Sequence, residues 1–491
     1  MRKIAAIFLF LSVLTLTFSC RKDGIEKSSS ARLSFSTDSL LFDTVFTTFG
    51  STTKRLKIYN PNSSPLNISS ISVGNGTNSQ FRINVDGVSG NSHKDVFIGA
   101  NDSLFIFAEV TIDPNNTLTP FVVNDNINFV VNGNNQHINL AAWGQNAHYF
   151  VANKSVNGIP LVYLDRDNSN TALDSTWVND KPYVIYGGYL TLDGDDKLTI
   201  EAGVRVHMHN GAGIWVYENG NINVNGTKDE PVTFQGTRLE HAFQDVSGQW
   251  DRIWINGNAS GTDNVFNYAV IKNGFIGLQA EPDPFLSTPP VTTNKLRLNN
   301  CKIHNNSVAG ILAKNYQITD TNSIISNSGQ HNLLVQGDGV YQFYHTTFAN
   351  YWSESTRKTP SILLQNAYIG TVNGVSTTIV SNLTAVDFYN CIVHGDQEIE
   401  FDTETISGGT INFSFNNCVL KTSNDVSGSN YVNLALNPTA DLFVDKSLYD
   451  FHLADGSPAI NAGDNTITVA TDHDGEVRSD GSPDIGAYEK Q

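Results

Sequence analysis

The chain has 491 residues, more than one ordinary domain core accommodates, so two or more domains or an elongated repeat array are expected. Its 30 Lys and Arg against 48 Asp and Glu leave a formal charge of −18, which repels phosphate backbones and argues against nucleic acid as a partner. With 39 Gly, abundant Asn, Thr and Ser and only 2 Met, long amphipathic helices are disfavoured and short strands joined by tight turns are favoured, an all-β composition.

Arg2 and Lys3 precede an apolar run from Ile4 to Phe18, 18 − 4 + 1 = 15 residues. That is shorter than the roughly 20 needed to span a bilayer as a helix. Residues 1–20 are therefore expected to be a cleaved export signal. Leu16-Thr17-Phe18-Ser19-Cys20 resembles a lipobox, with its Leu one place further from the Cys than the usual pattern has it. The resemblance implies acylation of Cys20 and a lipid anchor in the cell envelope, at the outer membrane or cell surface, and ordinary secretion is the alternative. Residues 21–32, rich in Ser and charge, are expected to form a tether.

Over 33–150 the pattern is short strands of period two. Leu104, Ile106, Ala108, Val110 and Ile112 alternate with Phe105, Phe107, Glu109 and Thr111, and turn clusters such as Asn60 to Pro65 separate the runs. A β-sandwich is expected. Phe46 to Gly50, Arg55 to Asn60, Pro65 to Ile68, Phe81 to Ile83 and Asp113-Pro114 resemble an ASH-type (choice-of-anchor D) immunoglobulin-like domain, which implies a spacer or adhesion module. Residues 151–182 are expected to connect this domain to a second one.

From 183 to 448 a phrase recurs: Tyr268 to Asn273, Asn300 to Asn305, Asn322 to Asn327, His345 to Asn350, Asn390 to Gly395 and Asn417 to Leu420. Fourth positions are separated by 303 − 271 = 32, 325 − 303 = 22, 348 − 325 = 23, 393 − 348 = 45 and 420 − 393 = 27 residues. A basic period of 22 to 23 fits one coil of a parallel β-helix, with a Pro-rich insertion lengthening the first interval and the 45 taken as two coils. The small second residues (Ala269, Cys301, Ser323, Thr346, Cys391, Cys418) and the larger fourth ones should both point into the core. This explains the cysteines as buried fillers. Asn273, Asn305, Asn327 and Asn350 should stack as a structural ladder at the turn after each strand. Leu198 to Val206, Ile222 to Thr227 and Pro231 to Phe234 resemble early coils of the right-handed, pectate-lyase-like β-helix group. Phe451 to Gly463, Asp472 to Arg478 and Asp484 to Glu489 resemble the choice-of-anchor Q motif, which implies a cap over 449–491.

Three clusters are candidate sites. Asp472, Asp474, Asp480 and Asp484 could ligate calcium, the one cofactor the sequence suggests, or be neutralised by Arg478. Asp396, Glu398, Glu400, Asp402 and Glu404 alternate and would share a strand face that could hold calcium against an acidic sugar, although none of Arg297, Lys302, Lys272 and Lys314 can be placed beside them. Tyr341, Tyr351 and Trp352 form the densest aromatic patch and could stack on sugar rings. No catalytic residue is assigned, and the expected function is non-catalytic binding of a polysaccharide or cell-surface protein. The alternative, implied by the β-helix resemblance, is a polysaccharide lyase or glycoside hydrolase acting on an acidic glycan.

Overall fold

A computed structural model describes residues 24–166, 172–258, 261–372, 374–478 and 481–490. The chain divides into two compact units, Met1–Asn146 and Ala147–Gln491. Cys20 and residues 1–20, expected to be an export signal, lie outside the described residues, and no helix among those described is long and apolar enough to cross a membrane.

The first unit is a β-sandwich of two five-stranded sheets. One contains Lys54–Tyr59, Ser103–Val110 and Phe81–Val85, and the other Asn134–Gln145, Phe121–Val131 and Leu66–Val73. Alternation sorts the side chains as the sequence predicts: Leu104, Ile106, Ala108 and Val110 are buried against Leu56, Ile58, Phe81 and Phe129, while Phe105 and Phe107 face out. The stretch expected to be a tether is docked instead. Ala31 and Leu33 are buried in the sandwich core, because apolar positions within the Ser-rich run meet a core that has room for them.

The second unit is a parallel β-helix of three ladders. Sheet I has eleven strands, from His148–Val151 to Ala435–Leu436. Sheet II runs from Ile159–Tyr163 to Phe401–Glu404, and sheet III from Asp174–Trp177 to Tyr431–Val432. Sheets II and III merge where Ala309–Thr321 and His331–Tyr344 run unbroken from one into the other. The stretch 151–182, expected to be a connector, supplies strands to the first coil, which therefore begins at His148.

The recurring phrase gives the register of sheet I. Ile271 pairs with Ile303, Ile303 with Ile325, Ile325 with Phe348, Phe348 with Val393, and Val393 with Leu420. The interval of 45 residues is thus one coil and not two, lengthened by the 351–361 loop and a hairpin of Ala367–Val372 with Val375–Val380. Cys301, Cys391 and Cys418 are fully buried free thiols, and the Cys391 amide donates to Cys418 Sγ at 3.3 Å. Asn273, Asn305 and Asn327 adopt left-handed backbone (φ 65°, 60° and 49°), and Asn305 Nδ2 donates to Asn273 Oδ1 at 2.8 Å. Asn350 stands above them without left-handed backbone, because the chain leaves the turn there into the 351–361 loop, and its Nδ2 donates to Ser328 O at 3.0 Å. A second ladder, at the first phrase position, is not apparent from the sequence: Asn300, Asn322, His345, Asn390 and Asn417 all have φ between 52° and 55°.

That second ladder anchors the C-terminal segment. Asn322 Nδ2 donates to Thr471 O (2.7 Å), His345 Nδ1 to Asp484 O (3.1 Å) and Asn390 Nδ2 to Asp464 O (3.1 Å). Phe451, Leu453, Ala459, Ile485 and Tyr488 pack on Ile324, Ala349, Ile392 and Val419, which point outward from sheet I. The segment expected to cap the last coil instead straps the flank of sheet I across several coils, because the apolar outward positions to be covered lie on that flank.

Candidate functional site

The predicted clusters come apart in the structure. Asp472 Oδ1 accepts from the Asp474 and Glu476 amides, both at 2.8 Å, and its Oδ2 from the Glu489 amide at 2.8 Å. Asp484 accepts from the Asn461 and Lys490 amides, both at 2.6 Å. Asp474 is hydrogen-bonded to His452 Nε2 at 2.9 Å. These oxygens hold turns of the strap, Arg478 pairs with Glu489 at 2.8 Å, and Asp480 lies outside the described residues. Among the described residues no group of three or more His, Cys, Asp or Glu is placed to hold a metal.

The second cluster was to share a strand face, but the strand is only Phe401–Glu404, so the acids ahead of it sit in a turn. Glu398 is exposed, whereas Glu400 is fully buried. Glu400 accepts both terminal nitrogens of Arg357 (2.7 and 2.8 Å) and the Gln397 and Ser361 amides (2.7 and 2.9 Å). This buried, bidentate pair pins the 351–361 loop and offers nothing to a ligand. Of the aromatics, Tyr341 is in the core with its hydroxyl donating to Asp338 O at 3.1 Å. Tyr351 lies against Phe443 and Phe451 and bonds His394 at 2.7 Å, and Trp352 is 8% exposed with its Nε1 bound to Ser355. None of the three forms an open platform.

Another aromatic cluster lies on the outer face of sheet II, where Trp215 is buried, Trp254 and Tyr217 are half-buried and Phe285 is exposed. Strands Tyr189–Leu192, Gly213–Val216, Ile253–Asn256 and Ile276–Glu281 send Leu190, Ile214, Ile253 and Leu278 inward and large or polar residues outward. Parallel in-register pairing stacks the outward residues, about 4.8 Å per coil, into two files. One runs Trp215, Trp254, Gln279, Leu312, Leu334 and Leu363. Asn256 and Glu281 pair in the other, as do Lys314, Gln336, Gln365 and Glu404. Trp215 and Trp254 stack at 4.8 Å and 10°. Tyr217 lies 4.8 Å from Trp215, Tyr189 meets it edge-on at 6.1 Å, and Phe285, 47% exposed, leans over it at 6.2 Å from the Pro-rich insertion.

A polar lattice fixes these rings. Trp215 Nε1 donates to Asn256 Oδ1 (2.7 Å) and Trp254 Nε1 to Glu281 Oε1 (2.8 Å), which also accepts from Gln279 Nε2 (2.6 Å). Lys314 closes an ion pair on the same nearly buried carboxylate, and Arg252 bridges Gln279 and Asp251. Tyr189 donates to Asp251, and burial with that carboxylate pushes its phenol well above the usual range, so it remains a donor. Burial, then Asp283 and Glu218, push the Tyr217 phenol up to about 12. Further along, Lys314 Nζ lies 5.6 Å from the Tyr368 ring, and Gln336 donates to Gln365 at 2.7 Å. There the hairpin closes a cavity of about 190 Å³ lined by Gln336, Gln365, Tyr368, Ile369, Thr378 and Glu404. Lys314, considered from sequence as a partner for Glu398 and Glu400, thus belongs to Glu281. The signal that could have found the face is a strand apolar on both sides, such as Gly213–Val216, whose four residues are all buried.

Fold and site together define an all-β protein pairing a β-sandwich with a parallel β-helix that carries an aromatic cluster on one outer face. No family model and no curated protein matches the chain. Among solved structures it is similar to the ASH/PapD-like domain of human CEP192, at 10% identity over 26% of this chain and 96% of that one, with a TM-score of 0.19. It is also similar to a family 123 glycoside hydrolase from Clostridium perfringens (13% identity, 29% of this chain, 26% of that chain, TM-score 0.17). A third similarity is to the alkylpurine DNA glycosylase AlkC of Pseudomonas fluorescens (11% identity, 24% of this chain, 32% of that chain, TM-score 0.15).

Proposed function

We propose that this chain is an envelope-anchored surface lipoprotein whose β-helix binds a glycan, without turning it over, on the outer face of sheet II. The observation that carries the proposal is the half-buried Trp254 and Tyr217 and the exposed Phe285 gathered around the buried Trp215, beside an in-register polar file. Aromatic faces stack on the C–H surfaces of pyranose rings, while amide and carboxylate groups at coil spacing meet ring hydroxyls. Lys314 and Arg252 are already paired with Glu281 and Asp251, and the acids Asp283 and Glu218 lie close to Tyr217, which favours a neutral glycan over an acidic one.

The test is calorimetry of the mature chain against a panel of neutral and acidic polysaccharides. Trp254→Ala should weaken binding by about tenfold, or ~1.4 kcal/mol, the scale of one aromatic stack. Unaltered affinity in that variant, or silence across the panel, would reject this face.

One observation favours a glycoside hydrolase as the second reading. Burial, with Asp196 and Asp165 nearby, raises the Asp193 carboxyl to about 6, and this acid is close enough to act on the Tyr217 phenol. Such a group can serve as a general acid if a second carboxylate stands at the required separation. Release of reducing ends, abolished by Asp193→Asn, would establish turnover.

A further inference from the structure

The chain ahead of the sandwich is clasped at one end of it. The Glu26 amide donates to Pro65 O at 2.8 Å. Asn132 Nδ2 donates to Glu26 O (2.9 Å) and Ser28 O (3.0 Å), and Asn134 Nδ2 to Ser29 O (2.8 Å). Gln136 holds Leu33 in both directions, accepting from its amide at 2.9 Å and donating to its carbonyl at 3.0 Å. All these partners lie at the end of the sandwich where Leu66 pairs with Ile98 and where Phe121–Val131 turns into Asn134–Gln145.

Cys20, the residue expected to carry lipid, is separated from the first clasped residue, Glu26, by residues 21–25 alone. Five residues reach at most about 17 Å even when fully extended. That is shorter than the sandwich itself, whose strand Phe121–Val131 has 11 residues. A lipid on Cys20 therefore orients the domain as well as tethering it. The same end carries exposed apolar side chains, Ile25 at 46% and Phe97 at 57%, with Phe97 one rung from the terminal Leu66–Ile98 pair. Lys27 and Arg32 are exposed on the clasped segment. Apolar side chains with adjacent cations suit a phospholipid headgroup layer, where the rings enter the acyl boundary and the cations meet phosphate.

We infer that the end of the sandwich bearing Ile25, Lys27, Arg32, the Asn60–Pro65 turn and Phe97 docks on the phospholipid surface of the bilayer that holds Cys20. The inference rests on the lipid-anchor reading of Cys20. Its geometry makes the domain a rigid foot on the membrane.

The test uses the full lipidated chain in phosphatidylcholine–phosphatidylglycerol vesicles with quencher-labelled headgroups. Cys301, Cys391 and Cys418 are buried, so a maleimide fluorophore reports a single introduced thiol. Ser63→Cys marks the docking end, and Thr119→Cys, just ahead of the strand Phe121–Val131, marks the opposite one. Severalfold stronger quenching at residue 63 than at residue 119 is expected. Equal quenching in protein that floats with the vesicles overturns the docking alone. Protein that fails to float, and behaves as Cys20→Ala does, overturns the anchor and the docking together.

Discussion

Sheets I and II are built by the same coils, share one core and differ in what lies on their outer faces. On sheet I, Ile324, Ile392 and Val419 point outward and are covered by the chain's own C-terminal segment. On sheet II, Trp254 points outward and is only partly covered by neighbouring side chains, while Phe285 leans over Trp215 from the Pro-rich insertion and stays exposed. A β-helix thus has two ways to treat an outward apolar stripe, and the proposed function assigns one to architecture and the other to recognition. A stripe met by main-chain carbonyls and aliphatic side chains of the same molecule is structural. A stripe of aromatic rings braced by a side-chain lattice, with only Phe285 exposed and Trp254 half-buried, is the face proposed above to meet a partner.

The largest effect expected from this contrast comes from removing the strap. Truncation ahead of Asp450 leaves Ile324, Ile392 and Val419 bare and His345 and Asn390 without their carbonyl partners. The truncated chain should lose its cooperative melt or collect as aggregate, judged by circular dichroism and light scattering. A melt like that of the full chain would demote the strap to an accessory. Next in size, Arg357→Ala leaves Glu400 buried without its cation at the corner joining the two sheets, at a cost of about 3–5 kcal/mol in chemical denaturation.

A pH effect should reach the strapped flank, as it should the coils that bury His207, His304 and His394. Burial holds the imidazoles of His345 and His473 down, to about 3 and about 4, while each sits against a main-chain carbonyl. A histidine lowered on folding contributes stability that is present above its unfolded value of 6.5 and is lost as pH falls toward the folded value. Protection of the strap against amide exchange, corrected for the intrinsic rate at each pH, should therefore fall as pH drops from 6.5 toward about 4. Unchanged protection of the strap over that range would remove the histidines as the cause. The smallest stability effect belongs to the open face: Phe285→Ala should change unfolding free energy by less than about 0.5 kcal/mol while lowering glycan affinity. A large loss of stability with affinity intact would place Phe285 in the architecture instead.

The ladder register was legible in the sequence because it is written twice, in the small and the large inward positions of each phrase. Ile271, Ile303, Ile325, Phe348, Val393 and Leu420 pair as the spacing aligns them. The strap was half legible. Its motif stood out, but its docking place is signalled only by the third phrase position turning apolar at Ile324, Ile392 and Val419. The site was not legible, because loops of unequal length separate its residues. Trp215 and Trp254 are 254 − 215 = 39 residues apart, and Glu281 and Lys314 are 314 − 281 = 33 apart, so no common phrase joins them. The acids from Asp396 to Glu404 misled for a related reason. Alternation reports a period of two but not where the strand begins, and at Glu400 the chain is still in a turn that buries it against Arg357.

The single coil that holds 45 residues between Phe348 and Val393 has a consequence for how such a chain can change. Its rung is as regular as those 22 and 23 residues long, so the number of residues between rungs is a free variable and the rung itself is not. Insertions can accumulate at the corners and be shed again without disturbing the stacked core. Both segments that wall the aromatic face, the Pro-rich loop and the hairpin, are insertions of this kind. The molecule can in this way reshape its outer faces over generations while every strand keeps its neighbour.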